Sequence, residues 1–375
     1  MRLETFEEKH LQEAEALWNE AWGAVFPMRE RLLRQNTVED VRLLRAGSWI
    51  ARETPAGPAA GLVTAKFPRP GDELRFGLRP DTGWIQALVV SPAGRGRGIG
   101  SLLLSRAEEA LRQAGARRIV LGGDLHRRMF PGVPAESTAA RAWLERRGYT
   151  HREDAFDLVN HYGAAEAAGA ERAKEASGAQ GAIGAGEAEE AIEAVEAVEA
   201  TGAGKAVKAG KTGEAGKAVF RAARPGDREA LTAFMARCFP GGWDLQQRDY
   251  WNSGGTGREY MLLELEGRLA GFCRMNTQRS PLLAQNVYWA PLFEGELGGI
   301  GPLGIDPACR GGGYGLAIVQ AADRALRLAG MRHIVIDTTP FVEFYGKLGY
   351  TPWKRYAKYD KTLEPLSGEC ASAEV

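Results

Sequence analysis

Val89-Val90-Ser91-Pro92-Ala93-Gly94-Arg95-Gly96-Arg97-Gly98-Ile99-Gly100-Ser101-Leu102-Leu103-Leu104 runs from an apolar strand, through a glycine-rich turn opened by arginine, into an apolar helix. The pattern returns downstream as Gly304-Ile305-Asp306-Pro307-Ala308-Cys309-Arg310-Gly311-Gly312-Gly313-Tyr314-Gly315-Leu316-Ala317-Ile318-Val319. Both copies satisfy Arg-x-x-Gly-x-Gly at an offset of 215 positions, which still holds where Ala114-Gly115 meets Ala329-Gly330 and Ile119-Val120 meets Ile334-Val335. Later, Gly148-Tyr149-Thr150 matches Gly349-Tyr350-Thr351 at an offset of 201, so the first copy carries fourteen more residues between these landmarks. A repeat of this size means two homologous domains rather than a solenoid.

A strand running into glycines at a helix N-terminus presents unpaired backbone N–H groups where the macrodipole favours negative charge. Glycine permits positive φ there and lets the backbone approach a phosphate closely. Neither copy has the GxGxxG spacing of dinucleotide folds: the glycines are 94, 96, 98 and 100 in the first and 311, 312, 313 and 315 in the second. Gly210-Lys211-Thr212 imitates the end of a phosphate-binding P-loop, but Lys205 stands where the earlier glycine is required and no apolar strand precedes it.

The 375 residues leave room for two domains and a linker. Lysine plus arginine balances aspartate plus glutamate at 48 each, so no global basic field argues for nucleic acid or an anionic membrane. Cys238, Cys273, Cys309 and Cys370 lack CxxC spacing, which favours a reducing, cytoplasmic setting, and nothing in the sequence calls for a metal. The N-terminus lacks the apolar run of a signal peptide, and no apolar segment approaches the roughly 20 residues needed to span a bilayer.

Composition divides the chain into a first domain over 1–162, a flexible linker over 163–217, a second domain over 218–363 and a disordered tail over 364–375. The linker collapses to Ala, Gly, Glu and Lys and cannot bury enough apolar surface to offset its ordering entropy. The first domain reads as a helix over 8–24, strands over 48–52, 60–65 and 84–90, a helix over 101–114, a strand over 117–122, a helix over 137–147 and a strand over 155–159. The second repeats the order: helix 227–238, strands 260–265, 269–275 and 297–305, helix 316–329, strand 333–338, helix 341–348 and strand 353–359. This is an α/β (α+β) protein.

With the two loops and their flanking elements placed, both halves resemble the GCN5-related N-acetyltransferase (GNAT) superfamily, whose pyrophosphate signature is Gln/Arg-x-x-Gly-x-Gly/Ala. The resemblance implies a mixed, splayed sheet flanked by helices in each half, with acetyl-CoA as cofactor. It implies that Arg95, Gly96, Arg97, Gly98, Ile99 and Gly100, and likewise Arg310, Gly311, Gly312, Gly313, Tyr314 and Gly315, hold the coenzyme pyrophosphate. The preceding strands, Leu88, Val89 and Val90 or Leu303, Gly304 and Ile305, would pair with the pantetheine arm. In the family a tyrosine four residues before a glycine of the second landmark protonates the departing thiolate, and Tyr345 stands four before Gly349. Leu144 occupies that place in the first half and cannot donate a proton; His126, in the longer loop 124–134, is the alternative donor there.

The family's general base is commonly a glutamate on the strand before the loop, which points to Glu296, with Glu294 beside it and Asp81 aligned with Glu296 in the first half. Asp337-Thr338 reads either as a wall of the acceptor pocket or as a cap on the following helix. Cys309 reads as a small filler. Tyr250-Trp251 and Tyr288-Trp289 offer aromatics that stack on a sugar or pack in a core. The family has two strands after its final helix, whereas each half has room for one, which calls for strand exchange or a truncated sheet. The pattern is similar to bacterial tandem acetyltransferases acting on glucosamine or cell-wall amino sugars. A small-molecule primary amine is therefore the expected acceptor. A mycothiol-synthase-like acceptor, a protein lysine, and a coenzyme-binding regulatory or scaffold role remain open.

Overall fold

The computed structural model describes residues 1–73, 79–124, 126–163 and 218–363. The flexible tether read from the sequence and the tail after 363 lie outside the described residues, apart from Gly163. Contacts divide the chain into two compact units, Met1–Ala155 with Arg355–Val375, and Phe156–Lys354. Neither unit matches a half of the sequence, so the division at 162 and 218 that composition suggests differs from the units the chain folds into.

The first unit is built on β1 (Arg2–Thr5), β2 (Trp49–Arg52), β3 (Ala59–Lys66), β4 (Thr82–Val90) and β5 (Arg118–Leu121). Strands β1 to β4 pair antiparallel in order, and β4 pairs parallel with β5. Helices α1 (Leu11–Trp22) and α2 (Glu30–Asn36) precede β2. The apolar stripe of α1 is a core face, with Leu11, Ala14, Leu17 and Trp18 buried. Helix α3 (Ile99–Gln113) buries Ile99, Leu103, Leu104, Ala107 and Leu111 in the unit's core, and α4 (Thr138–Glu145) adds Leu144. The short β6 (Val133–Pro134) ends the longer loop, and β7 (Thr150–His161) follows α4.

The second unit repeats this plan. Strands β8 (Ala218–Ala222), β9 (Tyr260–Leu265), β10 (Arg268–Thr277) and β11 (Leu297–Ile305) pair antiparallel in order, and β11 pairs parallel with β12 (His333–Thr339). Helices α5 (Arg228–Cys238) and α6 (Gly242–Asn252) precede β9; α7 (Tyr314–Leu328) follows the glycine loop and α8 (Val342–Gly346) follows β12. Tyr250 and Trp251 are buried in a core cluster with Leu231, Phe234, Tyr260 and Phe272, and Tyr288 and Trp289 are buried as well. Of the two readings of these aromatics, packing in a core is the one the structure bears out, with α6 turning the first pair inward.

The missing last strand is supplied by exchange. The final strand β13 (Thr351–Thr362) follows α8, yet its Tyr359–Thr362 pair antiparallel with Leu121–Arg118 of β5 in the first unit. Reciprocally, β7 sends Phe156–His161 into the second unit, where His333–Ile336 pair with His161–Leu158. In the first unit, Asp360 accepts hydrogen bonds from Arg118 Nε at 2.9 Å and Arg152 Nε at 2.8 Å, while Tyr356, Tyr359 and Leu363 are buried. In the second, Leu158 joins the core and Asn160 Nδ2 donates to the Leu348 carbonyl at 3.0 Å. Each unit thereby gains the closing strand that one half of the sequence lacks.

Candidate active site

Both sheets splay at the same register. Ladder pairing of β4 with β5 ends at Ile85–Leu121, and that of β11 with β12 ends at Ile300–Ile336. Register shifts between Thr64 and Ala65 and between Cys273 and Met275 bend the strands there. Beyond the splay, Leu88–Val90 pair only with β3 and Leu303–Ile305 only with β10, leaving one edge of each strand open among the described residues.

The two glycine loops share one geometry. Ser91 Oγ accepts the Gly94 N–H at 3.1 Å, and Asp306 Oδ1 accepts the Ala308 N–H at 3.0 Å, so each loop starts with a braced 3₁₀ turn. Gly98, at φ 84°, caps α3, and Gly313, at φ 78°, caps α7. A side chain at either position would be forced into left-handed backbone. A Cβ added at Gly96, Gly98 or Gly311 would meet nothing within 4 Å, so the open face of the cradle is unobstructed. These helix-terminal amides beside an open strand edge suit a pyrophosphate followed by an amide-bearing arm. Arg310 Nε donates to the Ile305 carbonyl at 3.3 Å, whereas Arg97 points into an exposed ion pair with Glu53.

In the second unit Tyr345, on α8, is buried, with its ring edge-on to Phe344 at 4.9 Å and to Tyr350 at 6.4 Å. Burial pushes its phenol up, and the neighbouring Cys273 and Asp337 push it further, so the hydroxyl holds its proton at neutral pH. Asp337 stands where β12 leaves β11. Its Oδ1 accepts from Asn286 Nδ2 at 2.8 Å and its Oδ2 from Thr338 Oγ1 at 3.3 Å. Thr338 sits in left-handed backbone at φ 49°, and its N–H is held by Asp157 Oδ1 at 2.9 Å, a residue of the exchanged β7. Asn276 Oδ1, Gln285 Nε2 and Asn286 Oδ1 are buried here without hydrogen-bond partners among the described residues.

Glu296 is not brought together with Tyr345. It precedes Leu297 at the paired end of β11, is half-buried, and faces Arg279 at 3.5 Å. Counting back from the loop misses that the splay begins only after Ile300. Glu294 gives its carbonyl to His333 Nε2 at 2.8 Å, and Asp81 lies at the matching paired end of β4 beside Arg79.

The first unit's equivalent end has different chemistry. The 215-residue offset, preserved in the ladders, sets Gly122 where Asp337 stands and Gly123 where Thr338 stands. A Cβ on Gly122 would lie 2.8 Å from the Phe130 carbonyl oxygen and 3.0 Å from the Gly132 nitrogen, so the longer loop occupies the space of the missing carboxylate. Lys66, fully buried, ties that loop down through Asp40 and Asp124, each at 2.7 Å, and through the carbonyls of His126 and Arg127. His126 is buried in this cluster and does not line the cavity that runs beside β4; Leu144 does.

The sequence profile of the acetyltransferase (GNAT) family matches residues 11–149 and 228–350, one match for each glycine loop. The chain belongs to the GNAT family. Acetyl-CoA is that family's acyl donor. Among curated relatives, mycothiol acetyltransferase of Actinosynnema mirum is 27% identical over 159 residues, 37% of this chain and 46% of the relative. Mycothiol acetyltransferase of Thermobispora bispora is 31% identical over 149 residues, 36% and 46% respectively. The match thus spans less than half the length of these relatives.

Among solved structures, a glucosamine N-acetyltransferase region of a fungal multi-domain β-N-acetylglucosaminidase superposes with a TM-score of 0.70 at 22% identity, covering 96% of this chain and 38% of that one. A tandem GNAT protein from the clavulanic acid pathway gives 0.58 at 14% identity, covering 98% and 100%. Both share the fold of this GNAT protein. Asp157, Asn276, Gln285 and Asn286 escaped the sequence reading. The pair Gln285-Asn286 between Leu282-Leu283-Ala284 and Val287 was its visible trace, two amides in an otherwise apolar stretch.

Proposed function

We propose that this protein transfers the acetyl group of acetyl-CoA to the primary amine of a small hydroxyl-rich molecule, with the chemistry in the second unit. The carrying observation is that Tyr345, still protonated, lies within electrostatic reach of Asp337 at the splay of the strand leading to an open pyrophosphate loop. Leu303, Gly304, Ile305 and the loop from Arg310 to Gly315 would hold the coenzyme, which supplies an activated acetyl group. As the amine nitrogen bonds to the acetyl carbon and the carbon–sulfur bond breaks, Tyr345 gives its proton to the departing sulfur. Asp337 takes the proton lost by the amine, and we assign it this role in preference to Glu296, which stands at the paired end of the strand. Buried amide atoms of Asn276, Gln285 and Asn286 that lack protein partners among the described residues support an acceptor with several hydroxyl or amide groups. An amino sugar such as glucosamine meets that description; the named activity of the curated relatives makes a mycothiol-type acceptor the second choice.

The first unit, with leucine and glycine in place of tyrosine and aspartate, is proposed to bind coenzyme through Leu88, Val89, Val90 and the loop from Arg95 to Gly100 without transferring. A reducing, cytoplasmic setting belongs to the same proposal. The test is thiol release from acetyl-CoA across glucosamine, other amino sugars, polyamines, aminoglycosides and a lysine peptide. Acceptor-dependent release that favours hydroxyl-rich amines is expected. Release with the lysine peptide alone, or with no amine, would overturn the proposal.

A further inference from the structure

We infer that the first unit is a binding site for acyl-CoA carrying an apolar acyl group longer than acetyl. This rests on the proposal that its loop holds coenzyme, and it concerns the space beyond the sulfur. A cavity of about 130 Å³ opens along Ala87, Leu88 and Val89, the strand edge that leads to the loop. It is walled as well by Trp18, Trp22, Leu121, Phe130 and Leu144. None of its lining side chains is titratable. Two of its polar side chains are already committed: Gln86 Nε2 donates to the Asn36 and Arg127 carbonyls, each at 2.9 Å, Gln86 Oε1 accepts from Thr64 at 3.1 Å, and Trp18 Nε1 donates to the Phe26 carbonyl at 2.8 Å, while Ser137, Trp22 and Trp143 complete a lining that is otherwise apolar. An amine brought here would find no carboxylate, because Gly122 replaces Asp337 and the Phe130–Gly132 backbone fills that space. An apolar chain loses nothing in such a place. The volume approaches the ~150 Å³ of an apolar cavity that admits benzene; the part along Leu88 and Val89 belongs to the pantetheine arm, and the remainder, walled by Trp18, Phe130 and Leu144, is left for a short apolar chain.

The second unit differs at the same register, with a carboxylate, a phenol and unpartnered amides. Among the described residues only the first site offers an apolar space there, so a longer acyl chain is favoured in the first unit and not in the second.

The experiment is calorimetric titration of the full-length Gly313→Glu chain, whose second loop is blocked, with CoA, acetyl-, butyryl- and hexanoyl-CoA. Affinity should climb from acetyl to hexanoyl by up to about fourfold per methylene. Trp22→Asp in the same background should flatten the climb while CoA itself binds within about twofold. Wild-type chain titrated alongside should show the climb in one of two sites, which guards against misfolding of the blocked variant. CoA bound with no dependence on chain length, or thiol released to hexylamine by the blocked chain, would overturn this inference alone. Loss of all coenzyme binding in the wild type would overturn the underlying proposal with it.

Discussion

A single proteolytic cut placed between residues 164 and 217 should leave the two pieces bound to each other. Piece 1–163 supplies Phe156–His161 to the second unit, and piece 218–375 supplies Ala357, Tyr359 and Leu363 to the first, so each piece completes a core that the other began. The strength of this bond can be probed at one ring. Tyr359 is 1% exposed, and its hydroxyl donates to Glu145 Oε1 at 2.7 Å and accepts from Arg141 Nε at 3.1 Å. Tyr359→Ala removes the ring and orphans both partners, at a cost of about 3–5 kcal/mol. At about 1.4 kcal/mol per decade, that weakens the association of the pieces by roughly two to three and a half decades. Leu158→Ala, on the reciprocal strand, should weaken the same constant by ~2–5 kcal/mol, because both strands bridge the same two pieces. Sedimentation velocity on a dilution series of cut protein reads the constant directly. Pieces that part at micromolar concentration without any variant, or a Tyr359→Ala chain that melts earlier but associates as tightly, would refute the exchange as the bond.

Tyr345→Phe should lower the rate of acetyl transfer by about 10²- to 10⁴-fold, with acetyl-CoA affinity by calorimetry and the melting temperature both unchanged because the ring packing is kept; a full rate would remove the phenol from the chemistry. Asp337→Asn keeps the acceptor oxygen for Asn286 but cannot take a proton, so kcat should fall by about 10²-fold or more with KM little altered; a loss confined to KM would make Asp337 a binding group only. Acid should loosen the first unit through Asp360. Burial alone raises this carboxyl, but hydrogen bonds and charge from Arg118 and Arg152 outweigh it and hold the folded value below the ordinary 3.8. Its contribution is therefore complete above that ordinary value and is lost as pH falls through the lower folded one. Asp360→Asn should flatten this part of the acid-unfolding profile, followed by near-ultraviolet dichroism; an identical profile would show that the carboxylate carries no linkage.

Repetition made most of the architecture legible. A strand, Arg-x-x-Gly-x-Gly and a helix occurring twice at one offset located both loops, and strands 260–265 and 297–305 fell where alternation and turn residues put them. The same count of elements exposed a shortage of one closing strand per half, and exchange is how the chain meets it. Helix α6 went unread because its polar surface hides the inward Tyr250 and Trp251, and because Ser253-Gly254-Gly255 directly after it makes the stretch look like a loop. The aromatics looked exposed for the same reason. The polar cluster around Asp337 was harder still. Its members come from β7, β10, the turn before β11 and β12, so no spacing within the sequence joins them, and Asp157 belongs to the other half of the chain. Tyr345 was legible through a motif, whereas the place of the splay, which disfavours Glu296, depends on a register that only the folded ladder defines.

Exchange also bears on why the first half, with Leu144 and Gly122 at the positions of Tyr345 and Asp337, has to keep its fold. If the two halves were separable, the first could unfold without consequence for the second. The first half instead ends in β7, whose Asp157 braces Thr338 in left-handed backbone beside Asp337 and whose Leu158 sits in the second unit's core. A non-Gly residue held at positive φ costs about 1–3 kcal/mol and persists only where its surroundings fix it. That support is delivered by a strand anchored at its other end in the first unit, through Arg152 on Asp360 and Asp154 on Arg355. Erosion of the first unit would therefore loosen the strand that shapes the second unit's reactive end.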